Sequence, residues 1–206
     1  MEILRTANAG VLLSMDGQNI LLDGVCPPYK TYLGTPPHIR ENLLKNPPDV
    51  LAFTHQHADH YDEGFAESFQ KNTLRPVLRA EDYREIRVGN IDILPFPTRH
   101  IGKYHEDKHV SYIIKGSKTI LFTGDASPTV FEKLSLPKID IVISSFAYAL
   151  TASAFSKTKA LGADKIILLH MPSPENDPDN IWQTVKDVTA KEQDLFILSL
   201  EEKIII

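Results

Sequence analysis

Nine residues, Thr-His-Gln-His-Ala-Asp-His-Tyr-Asp at positions 54–62, restrict what this chain can become more than any other stretch. They put His55, His57, Asp59 and His60 within six positions, directly after an apolar β-branched and aromatic run at 50–53 that has the character of a buried strand. Imidazole nitrogen and carboxylate oxygen are ligands that a borderline ion such as zinc accepts. One ion can hardly use four side chains from so short a loop. Two ions about 3.5 to 4 Å apart can, with His55 and His57 facing one and Asp59 and His60 the other. A lone His-x-His pair is usually an ordinary surface loop. Here the density, the preceding strand and the further candidates downstream favour metal binding.

Those candidates recur at strand ends. A strand expected at 91–94 leads through Pro-Phe-Pro-Thr-Arg to His100, with His105 and His109 as nearby rivals for the same ligand role. A strand at 119–123 ends Leu-Phe-Thr-Gly-Asp125, echoing Leu-Ala-Phe-Thr-His55. A carboxylate there can bridge two ions through its two oxygens, and the bland alternative is an Asp capping a helix that starts near Pro128. A strand at 165–169 ends at His170, before Met-Pro-Ser-Pro.

The run His-x-His-x-Asp-His, with Leu-Leu-Asp-Gly at 21–24 before it and His100, Asp125 and His170 after it, resembles the metallo-β-lactamase superfamily. The matching motifs span Asp23 to His170. The resemblance implies one domain over 1–206, folded as an αββα sandwich of two mixed β-sheets flanked by helices, with the site along one sheet edge. It also implies two divalent metal ions, zinc expected with manganese or iron as alternatives. His55, His57 and His100 would hold one, Asp59, His60 and His170 the other, and Asp125 and a water would bridge them. Asp59 would also orient that water as a hydroxide nucleophile, and Asp23 would buttress the ligand loop. Asp125 stands where the true β-lactamases usually carry cysteine, so the likeness is to the other hydrolases of the superfamily.

The implied activity is hydrolysis of a small ester, lactone or phosphodiester, with the small lactonase or phosphodiesterase-type members, such as the ascorbate-6-phosphate lactonase group, as the most similar. An RNA-processing nuclease is disfavoured by the absence of an RNA-gripping arm and by a net charge of −5, which two divalent cations would largely offset. An iron redox enzyme of the flavodiiron kind would usually carry glutamate for one loop histidine and a flavin domain. A non-catalytic metal-binding protein is the remaining alternative. Tyr61, His105, His109 and Tyr148 are the weak candidates for proton donor.

Composition adds bounds. Hydrophobic residues at 42% and charged residues at 24% suit an ordinary globule. No apolar run approaches a membrane span, no secretory leader is visible, and Cys26 is the one cysteine, so a cytoplasmic setting with a small-molecule partner and no membrane is expected. The basic residues Lys71, Arg75, Arg79, Arg84 and Arg87 are interrupted by acids and suit a solvated face.

Alternation and turn residues place further strands at 3–6, 11–15, 20–22, 77–78, 85–88, 110–115 and 139–143, with edge strands at 195–198 and 203–206. Helices are expected at 38–45, 64–70, 128–134, 152–161 and 179–190. Three Pro-Pro pairs stiffen residues 24–48, a candidate wall for a substrate pocket.

Overall fold

Alternation decides which way each strand faces. In β2 (Val11–Met15), Val11, Leu13 and Met15 are buried while Leu12 and Ser14 are partly open, the period-two signature of a strand with one face on a core. The computed structural model describes residues 1–104 and 106–206. Among these, the strands form two mixed sheets. In the first, β13 (Lys203–Ile205), β1 (Glu2–Arg5), β2 and β3 (Gln18–Leu22) pair antiparallel, and β4 (Val50–Ala52) and β5 (Val77–Leu78) continue the sheet in parallel.

The second sheet begins as an antiparallel meander of β6 (Ile86–Val88), β7 (Ile91–Pro97), β8 (Val110–Lys115) and β9 (Thr119–Phe122). It continues in parallel through β10 (Ile141–Ser145), β11 (Lys165–Leu169) and β12 (Leu195–Ile197). Strands β12 and β13 are edges, as expected.

The inner faces meet in one apolar layer that includes Leu13, Ile20, Val50, Tyr112, Phe122, Ile143 and Ile167. Outside the first sheet, Leu21, Leu51 and Val77 pack on α1 (Pro37–Lys45) through Leu43 and on α2 (Glu63–Thr73) through Phe65 and Phe69. Outside the second, Leu121, Val142 and Leu168 pack on α3 (Ala152–Lys159) through Phe155 and on α4 (Ile181–Thr189) through Val185. The result is the αββα order of layers. The starts of α2 and α3 are set by capping: the Asp62 carboxylate accepts from the Phe65 N–H at 2.8 Å and the Thr151 hydroxyl from the Ala154 N–H at 3.1 Å.

Two elements differ from the sequence expectation. The helix at 128–134 is a 3-10 helix, Pro128–Lys133, whose Val130 N–H reaches back three residues to the Ser127 carbonyl at 3.0 Å, and no side chain caps it. The strand at 91–94 runs on to Pro97 in spite of Pro95, because β6 pairs only as far as Ile93 and residues 94–97 are an edge on that side. The basic stretch is a solvated face: Arg75, Arg79, Arg84 and Arg87 pair with Asp49, Glu63, Asp82 and Asp92. Among the described residues, no helix is long and apolar enough to cross a membrane.

Candidate metal centre

Parallel strands deliver their carboxyl ends to one edge of the sandwich, where a crevice is the rule for open sheets. His55 follows β4, Asp125 follows β9 and His170 follows β11. His100, at the end of the segment after β7, bridges to Ala126, and the Ile101 N–H donates to the Asp125 carbonyl at 2.9 Å. The Val110 N–H donates to the Thr54 carbonyl at 2.9 Å, which ties the two sheets together beside the ligand loop. Gly124, at φ +53°, sits where a Cβ would lie 2.6 Å from the Thr54 hydroxyl oxygen, so the turn that presents Asp125 has room only for glycine.

All seven side chains singled out in the sequence come together. The ligand atoms of His55, His57 and His100 lie within 4.8 Å of one another, and so do those of Asp59, His60 and His170. Asp125 Oδ2 lies between the two triads, 3.4 Å from His60 Nε2, 3.4 Å from His170 Nε2 and 3.8 Å from His100 Nε2. His170 adopts φ +64°, an uncommon conformation for a residue with a Cβ, and its N–H is tied to the Asn8 carbonyl at 3.1 Å. Asn8 was not legible as a site residue, yet its side-chain amide also reaches Asp59. Arg5, buried, fixes that turn by donating to the Ala7, Asn8 and Leu198 carbonyls.

Hydrogen bonds behind the rings set the tautomers. The Thr54 hydroxyl donates to Asp23 Oδ2 at 2.6 Å and so must accept from His55 Nδ1–H at 2.9 Å, leaving the Nε2 lone pair of His55 facing inward. His60 Nδ1–H donates to Asp23 Oδ2 at 2.9 Å, and His100 Nδ1–H to the Ile101 carbonyl at 2.8 Å. His57 Nε2–H donates to Asp107 at 2.7 Å, which turns its Nδ1 towards His55 Nε2, 3.1 Å away. Two inward lone pairs at that separation repel unless a cation lies beside both. Among the described residues, buried His60 Nε2, His100 Nε2, Asp125 Oδ1 and both nitrogens of His170 have no hydrogen-bond partner. Orphaned buried polar atoms are costly, and a shell of outward-bonded histidines around them is the pattern of a metal site. The donor set therefore fits two divalent ions.

The electrostatics agree. Burial opposes ionisation of Asp125, but His170 and His60 outweigh it and hold the carboxyl well below the usual range. Burial likewise opposes charge on His60, yet Asp125 and Asp23 hold its pKa well above the ordinary imidazole value. Burial, then His60, pushes His55 well below it. Opposite charges packed together thus work against burial at both Asp125 and His60.

Three solved structures share the whole arrangement of elements. An isothiocyanate hydrolase from Delia radicum gut bacteria is 16% identical at a TM-score of 0.68, covering 100% of this chain and 99% of that one. A possible metal-dependent hydrolase from Veillonella parvula is 14% identical at 0.71, covering 100% and 99%. The metallo-β-lactamase fold protein YhfI from Bacillus subtilis is 16% identical at 0.61, covering 100% of both chains. The chain has the metallo-β-lactamase fold. No family model matches it, and no curated protein does.

Within the metallo-β-lactamase fold, the edge site opens into a cavity of about 760 Å³ floored by His57, Asp59, His100, Asp125 and His170. Its walls were only partly foreseen. Tyr29 to Tyr32 of the proline-rich segment form one and Ile101 to Tyr104 the other. The proposed proton donors fare differently. Tyr148 is fully buried and donates to the Ala126 carbonyl at 2.8 Å. Tyr61 packs edge-on against Phe53, donates to Glu63 and accepts from Arg79, away from the cavity. His109 is buried, with Nδ1–H bound to the Thr98 hydroxyl at 2.8 Å and Nε2 accepting from the Asp125 N–H at 3.1 Å. These three are structural, and His109 is a prop for Asp125 rather than a rival ligand. His105 lies outside the described residues.

Two consequences can be measured. Burial pushes the His109 pKa down to about 3, while in the unfolded chain it is near 6.5. The unfolded state therefore binds the extra proton. The stability held by neutral His109 is complete above about pH 6.5 and is lost as pH falls towards 3, at about 1.4 kcal/mol per pH unit. Urea unfolding of chelator-treated protein from pH 7 to 4 should show that slope reduced in His109→Asn, and parallel curves would contradict it. Asp107, 45% exposed, holds His57 in register from a loop with no metal-ligand signature in the sequence. Asp107→Ala should weaken metal binding about tenfold, the lower end for such supporting groups because water can partly replace it. Competition with a chromogenic chelator reads this directly, and an unchanged titration would mean that solvent orients His57 equally well.

Proposed function

We propose that this chain is a metal-dependent hydrolase with a dinuclear, zinc-preferring centre that cleaves a small ester, lactone or phosphodiester. The observation that carries the reading is the pair of ligand triads with Asp125 between them, open on one side to the cavity. His55, His57 and His100 would hold one ion, Asp59, His60 and His170 the other, and Asp125 would span both.

Bound divalent ions supply Lewis acidity and lower the pKa of water from 15.7 to about 7. The chain supplies the rest. Asp59, whose ionised form is favoured by His170 and His60 against the opposing effect of burial, can accept a hydrogen bond from the attacking water and aim it. Tyr32 lines the cavity with its ring edge-on to His170 at 4.4 Å. Burial, then Asp125 and Asp59, pushes its pKa up to about 12, so its hydroxyl stays protonated and can donate to charge developing on the substrate.

The test is elemental analysis of purified protein combined with a panel of lactones, phosphodiesters and thioesters. Close to two metal equivalents are expected, with turnover abolished by chelator and restored by zinc. Metal-independent turnover, or a fully loaded protein inert to the whole panel, would overturn the reading. Iron at the site with oxygen consumption would instead favour a redox enzyme.

A further inference from the structure

The cavity carries two cations that neither the ligand set nor the core explains. Lys30 stands at the tip of a tight turn closed by Tyr29 N–H to the Tyr32 carbonyl at 3.1 Å and Tyr32 N–H to the Tyr29 carbonyl at 2.9 Å. The turn places Lys30 at φ +54° and is tied to the segment after His170 by the Ser173 N–H on the Thr31 carbonyl at 3.0 Å. Lys103 stands on the opposite wall, in the 3-10 helix Gly102–Tyr104, where the Tyr104 ring packs edge-on against His57 at 4.8 Å. Each ammonium lies over a neighbouring tyrosine ring, Lys30 at 4.8 Å from Tyr29 and Lys103 at 5.0 Å from Tyr104. Among the described residues neither has a carboxylate at ion-pairing distance, whereas Arg75, Arg79, Arg84 and Arg87 of the basic stretch all do.

Both lysine-bearing turns are anchored beside candidate ligands, so the backbone that carries each cation is fixed at the cavity. The walls reach one another electrostatically: Tyr29 first, then Tyr104 across the cavity and Asp59, raise the Lys30 pKa. Between mouth and floor lie Tyr32, Ile101, Tyr104 and Phe146, an apolar and aromatic lining. Among the described residues, Asp179 is the one carboxylate of the lining outside the ligand set. With divalent cations bound to offset Asp59 and Asp125, the field in the cavity would be positive on an otherwise acidic chain.

We infer that Lys30 and Lys103 form an anion-recognition pair, and that the substrate is a small molecule with a flat apolar body bearing a carboxylate or phosphate remote from the bond that is cleaved. The anion sits between the two ammonium groups, the body lies along Tyr32, Tyr104 and Phe146, and the labile bond reaches the floor. This rests on the hydrolase reading for its chemistry but not for its binding.

The experiment therefore separates the two. Calorimetry on metal-loaded protein compares naphthalene-2-sulfonate, a weakly coordinating anion, with methyl 2-naphthyl sulfone, its neutral counterpart. Wild type should prefer the sulfonate by about tenfold, since exposed ion pairs each contribute up to about fivefold. The preference should shrink with salt, vanish in the Lys30→Gln/Lys103→Gln pair and survive in Lys30→Arg/Lys103→Arg. Equal affinity for the two probes in wild type, or a preference untouched by the double glutamine change, overturns the inference whether or not the protein hydrolyses anything. A preference of the expected size in a protein inert to every ester upholds the anion site and removes only the hydrolase. In an active protein, kcat/KM for aryl esters with carboxylate or phosphate tails, taken relative to the untailed ester, then identifies the preferred anion. A ratio of one for both tails would count against the pair.

Discussion

Asp125→Asn is expected to empty at least one of the two proposed metal positions and to cut the proposed hydrolysis on the order of 10³-fold, beyond the 10- to 100-fold typical of losing a group that only supports a ligand. The change keeps volume and leaves the backbone links to Ile101 and His109 in place. What it removes is the negative charge between the triads, 3.4 Å from both His60 Nε2 and His170 Nε2. Asparagine offers one neutral oxygen where the carboxylate offers two charged ones, so it cannot balance two dications at once. Elemental analysis and kcat/KM on the best substrate of the panel check the two halves of the expectation. Full metal content at the wild-type rate would show that Asp125 is not shared between ions. Full metal with a slow rate would move its role from holding metal to steering water.

Asp23→Ala should be the most destabilising single change among the residues that support the ligand loop, by about 3 to 5 kcal/mol, the usual cost of removing one partner from a buried charged network. Asp23 is fully buried and receives the Thr54 N–H at 2.7 Å, the Thr54 hydroxyl at 2.6 Å and His60 Nδ1–H at 2.9 Å. Alanine strands all three donors in the core between β3 and the ligand loop. For a chain of this size each kcal/mol moves Tm by about 2 to 4 °C, so a fall of roughly 10 °C is expected in the metal-free protein. Metal affinity should fall too, because Asp23 fixes the tautomer of His60 directly and that of His55 through Thr54. A Tm within about 2 °C of wild type, less than 1 kcal/mol on the same scale, would mean that water replaces the carboxylate.

The ligands were legible because they obey a local rule. Short apolar strands end in a polar residue that the next turn exposes, and His55, Asp125 and His170 each close such a run. Their type and spacing pointed to metal before any contact was known. The supporting residues obey no such rule. Asn8 reads as part of an ordinary turn after the first strand, and Asp107 as one acid among several in a charged loop. Tyr61, His109 and Tyr148 failed as proton donors for the converse reason: Tyr61 adjoins the ligand His60 yet turns to Glu63 and Arg79, while His109 and Tyr148 point inward to the Thr98 hydroxyl and the Ala126 carbonyl. Nearness along the chain does not fix direction.

By itself the sequence determined the layers and the chemical identity of the site. Period-two burial fixes which strand face is apolar, and the cluster of imidazole and carboxylate groups at strand ends fixes which ligand atoms the site offers. Only the tertiary structure decided which nitrogen of each histidine faces inward, that Asp125 falls between two triads, and that Lys30 and Lys103, 73 positions apart, stand on opposite walls of one cavity. Those outcomes depend on where the two sheets pack and on which carbonyls and carboxylates lie behind each ring. They are relations between segments distant in the chain, which no local pattern of residues encodes.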